Sequence, residues 1–374
     1  MKKNLPIYLT IFLAIGYLII RITHFSQIST TITNDTDTYI TIANQSILSS
    51  GFWLGIRPIV YPLVIKIFQY NWDVLAISQL IISTFAWLSF SYIMAQTIKT
   101  SALQILTFAF FLTFSLSTDI ILWDRIIQTE SFNISLFILI ITLYIARNSL
   151  YSRIPTIFFL TVLAIWGFLR DTNAWALLFT ACLMIMYFFT KKTAWKEYLK
   201  PVFLVFIFLL SNHTATVGNR WVVPFLNIMS MRILPEQSFT REFELRGMPV
   251  TPELLEQQGI TFNETYMTHP DLENFRNWMF SNGKNSYMKF LLHHPSYFIQ
   301  TPIENWRLLF GFLPDTQGTH NDNLDYAPQK FDEIISYPAS EIFYPKEFGL
   351  FATQIKLVIV GFLIAQKYDP INLL

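Results

Sequence analysis

Residues 74–97 read VLAISQLIISTFAWLSFSYIMAQT, a run without one Asp, Glu, Lys or Arg. As a helix this run is about 36 Å long, enough to cross a hydrocarbon core of about 30 Å. The rest of the chain agrees. Hydrophobic residues make up 53% and charged residues 14%, with 36 Phe among 374 positions, and the mean hydropathy is +0.41. That is too little polar surface for a water-soluble globule of this size, so the sequence reads as an integral membrane protein. A net charge of +1 with interspersed signs offers no basic face and excludes nucleic acid as a partner. The single Cys182, within an apolar run, excludes a disulfide framework or thiolate metal site and reads as a small packing residue.

Outward from this run, apolar segments recur at 5–20, 101–117, 131–146, 154–170, 174–190, 200–216 and 349–366. With 74–97 they predict an all-α bundle of about eight spans. The first lacks a small-x-small cleavage site and reads as an uncleaved helix, with Arg21 snorkelling outward at its end. Lys2, Lys3, Lys99, Arg147, Arg153, Lys191, Lys192, Lys196, Lys200 and Lys367 all fall on one side of this topology, which marks the cytoplasm. Asp35, Asp37, Asp73, Asp119, Asp124, Glu130 and Asp171 fall on the other. The expected location is the plasma (inner) membrane, multi-pass, with the acidic loops outside the cytoplasm.

From His213 to Leu350 the composition becomes that of a chain able to fold in water. Thr251 followed by Pro252 predicts a helix start, and the segments after it carry apolar residues at helical spacing. The domain reading is a transmembrane core at 1–216, a mainly helical extracytoplasmic insert at 217–348, and a final span with a short tail at 349–374. The aromatics Trp278, Tyr287, Phe290, Tyr297, Phe298, Trp306, Phe310 and Phe312 suggest insert helices lying on the membrane surface.

The loop between the first two spans is too long for a connector and too short for a domain. Residues 38–48 place Ile40, Ala43 and Ile47 on one helical face, and a second amphipathic piece starts at Arg57, so two interfacial helices are expected. Asp35 and Asp37 stand at the start of the first, where either could cap it. Arg57, Arg125 and Arg170 are rare cations on the acidic side. A guanidinium fork suits phosphate, although an arginine at a helix end can also snorkel to headgroups. Glu130 opens a span, where the helix dipole favours a carboxylate.

Asp35, Tyr39, Ala43, Gly51, Arg57, Pro58, Tyr61 and Pro62 together resemble the first extracytoplasmic loop of GT-C type glycosyltransferases, the superfamily of protein O-mannosyltransferases and lipid A aminoarabinose transferases. Trp123, Arg125, Thr129, Glu130 and Ser131 resemble the segment leading into the fourth helix of that superfamily, and Arg170, Asp171 and Asn173 a polar step at the end of a later one. The resemblance covers about the first 215 residues and rests on pattern rather than an invariant string.

It implies a GT-C multi-span bundle and transfer of a monosaccharide from a polyprenyl-phosphate donor in the bilayer to an acceptor hydroxyl or amine. Asp35 or Asp37 would be the base, Arg170, Arg57 and Arg125 would hold the donor phosphate, and Tyr39, Tyr61, Glu130 and Asp171 would bind or support. Phosphate is already a good leaving group, so one carboxylate suffices for inversion. The residues name no cofactor, and a divalent cation stays open, since two aspartates with Glu130 would form an oxygen site if the loops converge. Zinc at His293-His294 and His320 is weak, because no histidine pair has helical i,i+4 spacing. The acceptor is not readable. The alternatives are a surface-polysaccharide polymerase or ligase using a polyprenyl-diphosphate glycan through Arg220, Arg232, Arg241 and Arg246, a lipid-linked sugar transporter, and a non-catalytic membrane assembly factor.

Overall fold

The computed structural model describes residues 7–147, 156–191, 194–260 and 265–297. The predicted span at 349–366, His320, Phe298, Trp306, Phe310 and Phe312 lie outside them. Among the described residues the elements are helical, apart from an isolated parallel bridge between Thr31 and Ile126. The chain divides into two compact units, one up to Thr214 and one from Ala215.

The first unit contains α1 (Ile7–Gln27), α2 (Asn34–Ala43), α3 (Ser50–Trp53), α4 (Val60–Ile67), α5 (Trp72–Gln96), α6 (Ser101–Phe114), α7 (Thr118–Ile121), α8 (Glu130–Ile145), α9 (Thr156–Gly167), α10 (Asp171–Lys191) and α11 (Leu199–Val217). Four helical segments are long and apolar enough to cross a bilayer: Ile7–Gln27, Trp72–Gln96, Asp171–Lys191 and Trp195–Val217. The protein is therefore an all-α, membrane-embedded chain. The other predicted spans of this unit correspond to α6, α8 and α9, which are apolar but shorter as described.

Local signals place the helix starts. Asn71 caps α5, its Oδ1 accepting from the Val74 N–H at 3.2 Å. Thr33, not either aspartate, is the N-cap of α2. The Thr33 N–H donates to Thr36 Oγ1 at 3.0 Å, and the Thr36 N–H returns a bond to the Thr33 carbonyl at 2.9 Å. Asp35 and Asp37 sit in the first turn instead, where the helix dipole favours them. The buried residues of α2 include Thr36, Tyr39, Ile42 and Ala43, while Ile47 lies beyond the helix and is exposed.

Side chains then lock the bundle. Tyr17, Trp87, Phe90, Phe108 and Leu112 join α1, α5 and α6 in one apolar cluster. Leu163, Trp166, Leu177, Ala181, Leu204 and Ile207 join α9, α10 and α11 in another. Gly167 permits that second packing, since a Cβ there would lie 2.7 Å from Leu177 Cδ1 and 2.8 Å from Ile207 Cγ2.

Arg21 does not snorkel. It is 1% exposed, and its Nη2 pairs with Asp124 Oδ2 at 2.5 Å. Nη2 also donates to Ser83 Oγ at 2.6 Å and Nη1 to the Ser115 carbonyl at 2.9 Å, while Ser131 Oγ donates to Asp124 Oδ1 at 2.7 Å. A fixed carboxylate and two further acceptors give Nη1 and Nη2 partners inside the protein, leaving only the buried Nε without one, and that overrides the pull of the headgroups. The one residue pair gathers α1, α5, α6, α8 and the turn before α8.

The second unit contains α12 (Val222–Ile228), α13 (Gln237–Leu245), α14 (Pro252–Leu255), α15 (Thr265–Thr268), α16 (Glu273–Trp278) and α17 (Lys284–His293). A π-helical turn extends α12, and another joins α16 to α17. As the sequence predicts, Thr251 caps α14 through a 3.3 Å bond from the Leu254 N–H, with Pro252 first in the helix. The aromatic density of this region is spent on a core of its own. Trp278 and Phe290 are buried with Phe225, Phe243, Tyr266 and Phe275, and Tyr287 and Tyr297 pack against them. Burial inside the unit, rather than a membrane surface, accounts for these rings.

Two stability predictions follow from these polar clusters. Arg21→Met should strand the buried Asp124 carboxylate and cost about 3–5 kcal/mol, whereas Arg21→Met with Asp124→Leu should recover much of that loss. Thermal unfolding of the detergent-solubilised variants checks the order. In the second unit, burial alone would raise the Glu242 carboxyl, but bonds from His294 and Arg246 and their charges outweigh it and hold the carboxyl below its ordinary value. Its folded-state value is lowered, so its contribution is present above the unfolded value and lost as pH falls through the folded one. The Tm advantage of wild type over Glu242→Gln should therefore hold at neutral pH and shrink as pH falls below about 4.5.

Candidate functional site

Segments bearing the candidate residues converge because the backbone after α1 is stitched to the backbone before α8. The Thr31 N–H donates to the Arg125 carbonyl and the Ile127 N–H to the Thr31 carbonyl, both at 2.9 Å. Thr36 Oγ1 reaches the Ile127 carbonyl at 2.6 Å, and Gln128 Nε2 donates to Thr33 Oγ1. An apolar layer supports this seam: Tyr39 and Ala43 of α2, Tyr61 and Ile65 of α4, Leu75 and Ala76 of α5, with Ile127, Phe132 and Leu169.

Above this layer stand two arginine–carboxylate pairs. Arg57 donates to Asp35 Oδ1 through Nη2 and to Thr38 Oγ1 through Nε at 2.6 Å. Its guanidinium carbon lies 4.8 Å from the centre of the Tyr39 ring, so the cation is held over an aromatic face. Asp35 is 59% exposed, which keeps the pair within reach of a ligand. In the second pair, Arg170 Nη1 donates to Glu130 Oε1 at 2.6 Å. Leu169, in the supporting layer, and Asn173 fix the chain on either side of Arg170. Asn173 Nδ2 donates to Asn133 Oδ1 at 2.7 Å and to the Trp166 carbonyl at 2.8 Å.

Tyr39 connects the two pairs. Burial raises its phenol above the ordinary value, opposed by Arg57, a bond with Thr129 and Arg170, and reinforced by Glu130. Arg57 from the first pair and both members of the second thus act on one hydroxyl, which stays protonated at neutral pH. Tyr61 packs edge-on against Tyr39 at 5.2 Å and is likewise raised by burial. Its hydroxyl donates to Gln79 Oε1 at 2.9 Å, and Gln79 Nε2 faces the carbonyls of Trp123, Asp124 and Ile126 at 3.2, 3.1 and 3.0 Å. One amide in the middle of an apolar helix therefore fixes both the Tyr61 side and the Glu130 side of the site.

The predicted residues separate into two groups. Asp35, Arg57, Tyr39, Tyr61, Glu130 and Arg170 come together. Arg125 belongs to a different set of contacts: its guanidinium carbon lies 3.6 Å from the Phe25 ring centre, Nε donates to the Phe25 carbonyl at 2.7 Å, and Nη1 donates to Thr30 Oγ1 at 2.9 Å. Asp37 is exposed in the first turn of α2, and Asp171 is the partly buried first residue of α10. Gln79, Asn133 and Asp124 are the contributors that sequence reasoning did not assign to the site. A glutamine within an uncharged span is the one signal for Gln79, because a buried amide in hydrocarbon requires partners.

Among the described residues no three His, Cys, Asp or Glu side chains group as a metal site. His294 Nε2 is bonded to Glu242 Oε2 at 2.7 Å and His293 Nδ1 to the Lys289 carbonyl at 2.6 Å. In comparison with known proteins, no family model matches the chain, and no curated protein or solved structure matches it.

Gln79→Leu should remove the two N–H donors that the Trp123, Asp124 and Ile126 carbonyls share; the Ile126 carbonyl keeps the Gln128 N–H at 2.9 Å, and the cost should be about 1–3 kcal/mol for each carbonyl left without a partner. Tyr61→Phe removes a single bond and should cost only about 1 kcal/mol. Thermal inactivation half-lives in one detergent would rank the two.

Proposed function

We propose that the chain is an inverting glycosyltransferase of GT-C type, moving a monosaccharide from a polyprenyl-phosphate donor to an acceptor hydroxyl or amine outside the cytoplasm. What carries the reading is two arginine–carboxylate pairs, Arg57–Asp35 with its guanidinium over the Tyr39 ring and Arg170–Glu130, in a unit containing membrane-length helices. A lipid phosphate lies at such a boundary, and guanidinium forks are suited to hold it.

In the proposed step the acceptor oxygen attacks the anomeric carbon as the carbon–oxygen bond to phosphate breaks. The bonding pair leaves with the phosphate, and Asp35 takes the acceptor's proton. Arg57 and Arg170 stabilise the charge gathering on the departing phosphate. The Arg57–Asp35 bond joins base and phosphate anchor before any ligand arrives, which lowers the cost of ordering them. The polymerase or ligase alternative is less favoured, because Arg246 is committed to Glu242 and to the Ser286 carbonyl.

Mass spectrometry of lipids retained by the detergent-solubilised protein, with added polyprenyl phosphate, tests the donor class. Wild type should retain a polyprenyl-phosphate sugar, and Arg170→Ala should weaken retention about 10- to 100-fold. Retention of bulk phospholipid alone would move the assembly-factor reading ahead. With the donor in hand, Asp35→Asn should lower the transfer rate by about 10²–10⁴-fold. Full activity in folded Asp35→Asn and Asp37→Asn would remove the mechanism.

A further inference from the structure

The segment joining α2 to α4, residues 45–56 (QSILSSGFWLGI), contains no charged residue. It nevertheless turns four large apolar side chains outward: Leu48 is 96% exposed, Ile56 52%, Trp53 45% and Ile47 41%. A slack connector would fold such groups inward. Here the backbone is braced to prevent it. Trp53 Nε1 donates to the Ile47 carbonyl at 2.7 Å, Ser49 Oγ to the Ser46 carbonyl at 2.7 Å, and the Phe52 N–H to Ser49 Oγ at 3.3 Å. Phe52 is buried beneath, 1% exposed. Lys66 Nζ ties the start of the segment through the Ala43 carbonyl at 2.7 Å and the Gln45 carbonyl at 3.1 Å. Gly55 closes the end, where a Cβ would stand 2.7 Å from the Gly51 carbonyl oxygen and collide with Ile42.

We propose that Ile47, Leu48, Trp53 and Ile56 form a preformed wedge that seats in the phospholipid bilayer, between the headgroups and the first acyl carbons. The chemistry of the segment selects lipid as the occupant. The helix that follows, α4, also exposes Leu63 and Ile67, in a unit whose long apolar helices mark it as membrane-embedded. Trp53 has its N–H satisfied internally and presents its ring, as interfacial tryptophans do. The charged border begins at once: Ile56 is followed by Arg57, which pairs with Asp35. An apolar edge backed by a guanidinium matches the layering of acyl chain below phosphate. The wedge thereby sets the depth of the Asp35–Arg57 pair, and it does so whether or not the protein transfers a sugar.

The test uses the full chain with Cys182→Ser and a single reporter, Leu48→Cys, labelled with the polarity-sensitive fluorophore NBD and reconstituted in phosphatidylcholine–phosphatidylglycerol vesicles. Ile81→Cys, on the exposed face of α5, is the lipid-facing control. The expected result is blue-shifted emission at 48, quenched by acyl-brominated phospholipid to an extent similar to position 81 and insensitive to aqueous iodide. Iodide quenching without quenching by brominated lipid would overturn the proposal. Self-quenching that rises with the protein-to-lipid ratio would also overturn it, assigning the patch to a second copy of the chain. Ile56→Cys repeats the measurement, so that misfolding of one reporter leaves the answer intact.

Discussion

The buried pair of Arg21 and Asp124 is the constraint on which the rest of the first unit depends. A guanidinium and a carboxylate, both almost wholly enclosed, are tolerated only where every neighbour is arranged to satisfy them. Meeting that requirement fixes the end of α1 against Ser83 of α5, the Ser115 carbonyl at the end of α6, and the turn that leads to Ser131 and Glu130. Apolar packing between such helices is non-directional and would accept several registers. The ion pair accepts one.

The candidate site inherits its order from that register. Asp124 is held through its side chain by Arg21 and through its carbonyl by Gln79. Gln79 also holds Tyr61, Tyr61 packs on Tyr39, and Tyr39 lies under Arg57. From the other direction the same turn delivers Glu130 to Arg170. The outer charged groups are partly exposed, where individual ion pairs contribute little to stability. Their arrangement is therefore maintained by buried groups beneath them, which leaves the surface charges free to exchange partners with a ligand.

Much of this architecture is legible in the sequence where a single residue type carries the signal. Uncharged runs give the long helices and Thr251-Pro252 gives the start of α14, while Arg57 and Asp35 are singled out separately and only the structure joins them. What is not legible depends on partners distant along the chain. Arg21 reads as a snorkelling cation because nothing nearby offers a counter-charge; its carboxylate stands 103 residues away. Gln79 looks like one polar residue among many until the carbonyls it binds are in place. Arg125 and Arg170 share the same local context at the edge of an apolar run, yet one is drawn to Phe25 and the other to Glu130. The aromatics after Tyr266 fail for another reason: ring density signals burial and membrane interface alike, and only the packed core of the second unit separates the two.

Helix α6 ends at Phe114 because Ser115 turns the chain and gives its carbonyl to Arg21. Its 14 residues amount to about 21 Å of helix, well short of a hydrocarbon core of about 30 Å. The end of so short a helix needs partners other than hydrocarbon, and Arg21 supplies one by taking the Ser115 carbonyl inside the protein.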